Sequence, residues 1–213
     1  ILLIDEKGSL KEVEISNMGK TFDVLPFVKD FKPVHVLYNT NAFGYGVFPI
    51  DKNIISSFKE INQEVSRGYQ FINLYENMLI GKVTPLETYK ELLNAIKIEK
   101  NELITNYLSA RIQHIFWTFL NDEERYFAQI KIEKEISDLL NENLSSNIKK
   151  TLFSLYSSIA FNPKGYENLY QIWKKDKKIE NLFLNENDYT SLAMKLAIYQ
   201  HPKAKEIVIF IIH

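Results

Sequence analysis

Between Asp51 and the C-terminus the chain contains only three glycines, Gly68, Gly81 and Gly165, and its apolar residues recur at steps of three and four. A long glycine-poor stretch with a period near 3.6 is a run of amphipathic helices, because that period alone lines up apolar side chains on one helical face. Start signals divide it. Asp51 is placed to cap a helix carrying Ile54, Ile55, Phe58, Ile61 and Val65, a pattern expected to break at Gly68. "TPLE" at Thr84–Glu87 is a capping box with Pro at the first helical position, where a missing N–H costs nothing. Leu103, Ile104, Tyr107, Leu108, Ile112, Ile115, Phe116, Phe119 and Leu120 form a stripe broad enough for a central helix. Asn121 before "DEE", Ser145 before Ile148, Asn162 in "NPKG" and Asn185 in "LNEND" open further helices. About eight helices with short polar loops result.

Residues 1–51 read differently. "ILLID", "LKEVEI", "FDVL", "VHVLY" and "GYGVF" are strand-like, with "EKGS" as a turn. In "LKEVEI" the apolar Leu10, Val13 and Ile15 are set against Lys11, Glu12 and Glu14. Asn39, Thr40 and Asn41 between "VHVLY" and "GYGVF" predict a hairpin, since asparagine tolerates left-handed backbone. The fold class is therefore mainly α: stacked antiparallel helices, as an ARM/HEAT-like superhelix or an irregular bundle, preceded by a small antiparallel β unit. The division is a β-rich segment at 1–51, a remnant of a β-sandwich, and an all-helical domain at 52–213.

Composition excludes several function classes. The 26 basic side chains are balanced by 27 acidic ones, without the basic excess of a phosphate-tracking surface, so nucleic acid is not expected as a partner. With no cysteine there is neither a thiolate metal site nor a cysteine nucleophile. "IVIFII" at Ile207–Ile212 is far short of the roughly 20 residues that span a bilayer. A soluble protein of cytoplasm or periplasm is expected, the sequence leaving the compartment open. The opening "ILLID" has neither Met nor a signal peptide, and a piece of a longer or processed chain is expected.

Catalytic motifs are sparse. His35, His114, His201 and His213 do not form HExxH, His114 reads as a structural or surface residue, and His201 before Pro202 reads as loop. "GYGVF" lacks the third glycine and the Lys-Ser/Thr of a phosphate loop, so Gly44 and Gly46 read as backbone geometry. No GxSxG elbow makes a nucleophile of Ser109 or Ser154. The acids Glu123, Glu124, Glu133, Glu135 and Glu142 read as solvated helix faces, as does "WKKDKK" after Trp173. The sequence singles out no catalytic or metal-ligating residue.

The junction "VLYNTNAFGYGVFPID" carries a resemblance. Asn39, Gly44, Tyr45, Gly46, Val47, Phe48 and Asp51 resemble the passage from the last β-sandwich strand into the helical domain of zinc aminopeptidases of the aminopeptidase N (alanyl aminopeptidase) type. "ELLNAIKIEKNELITNYLSARIQHIFWTFL", "LFSLYSSIAF", "NLYQIWK" and "YTSLAMKLAIYQHPKAKEIV" are similar to successive helices of a bacterial branch of that family. Many relatives have an Arg where this chain has Val47, so no role of that Arg transfers.

The resemblance implies a non-catalytic C-terminal module that caps an active-site chamber and restricts peptide access. Its implied partners are an upstream catalytic domain of the same polypeptide and peptide substrates at the chamber wall. It implies no cofactor in this chain, and zinc in that upstream domain. Glu123 and Glu142 are then candidate chamber-facing acids. The alternative is a free-standing helical-repeat module binding peptides or proteins on a concave face. An unknown enzyme with its site among the helices is the third reading, weakened by the lack of a convergent titratable set.

Overall fold

The computed structural model describes residues 1–15, 23 and 25–212. The chain is mainly α, with eight α-helices and one three-stranded antiparallel sheet among the described residues. Contacts group it into two compact units, Ile1–Ala95 and Ile96–His213, whereas the change from strand to helix lies at Asp51.

In the first unit, β1 (Leu2–Asp5) lies between β2 (Leu10–Glu12) and β3 (Pro33–Leu37). The turn after β1 is held by the Asp5 carboxylate, which accepts N–H bonds from Lys7 at 2.8 Å and Ser9 at 2.7 Å. The alternation of "LKEVEI" buries Val13 but leaves Leu10 63% exposed. Of "FDVL", Phe22 and Val24 lie outside the described residues, and Leu25 opens a single 3-10 turn to Phe27 rather than a strand.

The expected hairpin is not formed: Gly44–Phe48 is no strand, and among the described residues β3 pairs with β1 alone. Side-chain amides take the place of a strand partner. Asn39 accepts the Gly44 N–H and donates to the Gly44 C=O, Asn73 accepts the Phe48 N–H, and Asn77 donates to the Phe48 C=O. Gln70 donates to the Tyr38 C=O at 3.0 Å. Gln70, Asn73 and Asn77 lie at three- and four-residue steps on α1 (Glu64–Leu79), so one helical face satisfies the loop, and a backbone satisfied this way has no need of a ladder.

Asp51 caps as expected, its carboxylate accepting the Asn53 N–H, but the segment it opens is a 3-10 helix, Lys52–Glu60. Ile54, Ile55 and Phe58 are buried while Val65, in the next helix, is 56% exposed, so two separate elements replace the single expected helix. α1 runs through Gly68 without a break. Tertiary burial of Ser66, Gln70, Phe71 and Leu74 outweighs the roughly 1 kcal/mol that one helical glycine costs. α2 (Pro85–Ile96) follows, with Glu87 N–H bonded to Thr84 Oγ1 at 3.2 Å.

The second unit holds α3 (Glu102–Thr118), α4 (Asp122–Leu140), α5 (Ser146–Ile159), α6 (Pro163–Trp173), α7 (Glu186–Ile198) and α8 (Ala204–Ile212). α4 to α7 start where Asn121, Ser145, Asn162 and Asn185 predict, each accepting a first-turn N–H, and Asn101 caps α3 in the same way. α5 packs on α3, α4 and α7, and α6 and α8 pack on α7. Ile112, Ile115 and Phe116 of α3, Ile132 and Ile136 of α4, and Leu155 and Ile159 of α5 are wholly buried. Arg125 fastens the end of α3 by donating to the Phe116 and Leu120 carbonyls, which have no partner within the helix.

Candidate functional site

The residues that carry the junction resemblance have structural partners. Asn39 is buried with a φ of 52°, a left-handed conformation asparagine accepts. A side chain at Gly44 would meet Phe48 Cζ at 2.7 Å and Asn39 Oδ1 at 2.9 Å. Gly46 has open space around it but a φ of 133°, and its carbonyl accepts from the Tyr69 hydroxyl. Tyr45 is fully exposed. His35 Nδ1 and Asp51 Oδ2 are 2.6 Å apart. Burial works to raise the Asp51 carboxyl, but the bonds from His35 and the Asn53 N–H outweigh it and hold it below the usual aspartate range. An ionised Asp51 has no proton to give, so His35 is the donor.

In the second unit a cavity of about 680 Å³ opens between α4, the C-terminal half of α5, and α6. Its buried acid is Glu133, which is 9% exposed. Gln129, one turn earlier on α4, donates to Glu133 Oε1 at 2.9 Å, and Asn162, the N-cap of α6, donates to Oε2. The cap fixes that amide, because Asn162 Oδ1 is held by the Gly165 N–H. Burial raises the Glu133 carboxyl above the ordinary glutamate value, and the two amide bonds only partly offset it. Across the cavity, Lys177 donates to Asn168 Oδ1 at 2.5 Å and Asn168 donates to the Tyr156 hydroxyl at 2.8 Å. Burial also raises the Tyr156 phenol, and beyond the cavity lining it pushes Tyr199 up to about 12.

Three carboxylates, Glu133, Asp138 and Glu167, and three ammonium groups, Lys134, Lys164 and Lys177, line this cavity. Such a lining holds groups of both signs, and a partly desolvated carboxylate binds an ammonium more strongly than one in water. Among the described residues no three His, Asp or Glu side chains converge to hold a metal ion.

Glu123 and Glu142 are not in the cavity. Glu123 is exposed in the first turn of α4 and Glu142 is exposed just beyond its end. Glu133 carried a readable signal: it is three and seven residues from Ile136 and Leu140, in phase with the buried stripe of α4.

His114 is exposed and edge-on to Phe119, whereas His201 is more than loop. His201 is 3% exposed, stacks on Tyr170 at 4.4 Å between ring centroids, and accepts the Lys203 N–H. His213 lies outside the described residues. No helix among the described residues is long and apolar enough to cross a membrane. Compared with family models, curated proteins and solved structures, the chain matches none.

Proposed function

We propose that the chain is a non-catalytic helical module of a zinc aminopeptidase of the aminopeptidase N type, forming part of the wall of a peptide chamber. Glu133 carries this reading: a mostly buried carboxylate, oriented by two amides, inside a cavity whose other charges include three lysines. A short peptide with free ends is a zwitterion. Its ammonium suits Glu133, its carboxylate suits the lysines, and a longer or end-blocked chain forfeits one of the two. The junction residues support the same reading, since Asn39, Gly44 and Asp51 form a fixed passage from sheet to helices. Zinc and the groups that activate water would belong to an upstream domain.

Two measurements test the proposal. The reading frame upstream of Ile1 is expected to encode HExxH followed by a glutamate ligand, and a frame without them overturns the peptidase reading. Trialanine is expected to shift the amide resonances of residues around Glu133 and Asn162, while N-acetyl-trialanine amide is not. Equal shifts from both would leave the helices as a wall without end recognition.

A further inference from the structure

The two faces of β1 are both apolar, which is the pattern of a strand covered on both sides. Leu3 points to the buried face and is 1% exposed. On the opposite face the register puts Leu2 beside Glu12 and Leu37, and Ile4 beside Leu10 and His35. This second face floors a groove of about 710 Å³ whose other wall is the 3-10 helix, through Ile54 and Phe58, and the start of α1. The volume is that of a site for a small organic molecule.

Carboxylates dominate the polar rim, and His35, which also lines the groove, is engaged with Asp51. Asp5, Glu6, Glu12 and Glu60 line the groove, and the described lining residues include no lysine or arginine. Ser66, also in the lining, is 1% exposed, and among the described residues its hydroxyl has no hydrogen-bond partner. An apolar floor calls for an apolar body, and an acidic rim calls for a positive charge on it. A neutral body would gain nothing from the rim, and an anionic one would be repelled.

We infer that the groove between the open face of the β2-β1-β3 sheet and the 3-10 helix binds a free amphiphilic amine, its apolar body on Leu2, Ile4 and Leu10 and its ammonium at the Glu12 and Glu60 rim. The site is separate from the Glu133 cavity and does not rest on the peptidase reading.

Octylammonium chloride, kept below its micellar concentration, is the probe, with octanol and octanoate as controls. Amide resonances of Leu2–Asp5 and Leu10–Glu12 are expected to shift with octylammonium, at an affinity about tenfold above that for octanol, and octanoate is expected not to bind. The double change Glu12→Gln with Glu60→Gln, both at exposed positions, is expected to erase that tenfold preference and leave octanol binding unchanged. Leu10→Lys, at a side chain 63% exposed and so compatible with folding, is expected to abolish amine binding. Equal affinity for amine and alcohol, an amine preference that survives the double change, or shifts confined to the Glu133 cavity would each overturn the proposal.

Discussion

The side-chain amide of Asn39 closes on both backbone polar groups of Gly44, accepting its N–H at 2.6 Å and donating to its C=O at 2.9 Å. One asparagine thereby does for Gly44 what a neighbouring strand would do, which is why the loop before the helices keeps a defined shape without pairing. Gly44→Val puts a side chain against Phe48 and Asn39 and is expected to cost about 1–3 kcal/mol. Gly46→Val is expected to cost a similar amount from backbone strain alone, since its surroundings are open. Urea melts of the two variants check both numbers, and a Gly44→Val protein as stable as the parent would refute the close approach.

Glu133 makes stability depend on pH with a definite sign. Its carboxyl is raised in the folded chain, so the folded state holds the proton longer than the unfolded state and stability falls as pH rises through the interval above 4.5. Glu133→Gln removes that proton exchange. The stability difference between parent and variant, measured by urea titration from pH 4 to pH 8, is expected to move in favour of the variant as pH rises. A constant difference would mean that Glu133 is not desolvated.

Lys195 of α7 works in the opposite direction. Its ammonium donates to Ser157 Oγ of α5 at 2.6 Å, and burial lowers its pKa below the usual 10.5. The unfolded state then binds the proton more tightly, and stability rises with pH through the interval below 10.5. Lys195→Met is expected to flatten that rise between pH 8 and pH 10, with a change at pH 7 of less than about 2 kcal/mol, because the lost bond is offset by relief of a desolvated charge. Denaturant titrations at three pH values suffice.

His201 separates shape from chemistry. His201→Phe keeps a ring against Tyr170 and loses both the acceptor for the Lys203 N–H and the Nε2 contact with Glu167 Oε2 at 3.3 Å, so it is expected to cost about 1–2 kcal/mol. His201→Ala loses the packed ring as well and is expected to cost about 2–4 kcal/mol. Thermal melts that rank Phe below Ala in stability would show that the ring does not pack as described.

Local signals were legible because their physics is local. Asn121 and Asn185 bond N–H groups three residues ahead, Ser145 and Asn162 do the same, and Pro85 sits where an N–H is dispensable, so the sequence by itself determined where these helices begin. The mainly α class followed from their number and from the apolar period. The tertiary structure decided whatever depends on residues distant along the chain. "GYGVF" has the composition of a strand, yet Asn73 and Asn77, more than twenty residues later, occupy its backbone, and Gly68 is carried inside α1 by the burial of its neighbours. Among five acids of similar appearance, Glu133 became the buried one because Asn162 on another helix reaches it, while Glu123 and Glu142 remain in water. Periodicity names the face of a helix, but only packing chooses which polar residue at the edge of that face is desolvated, and it is desolvation that gives a carboxylate its chemistry.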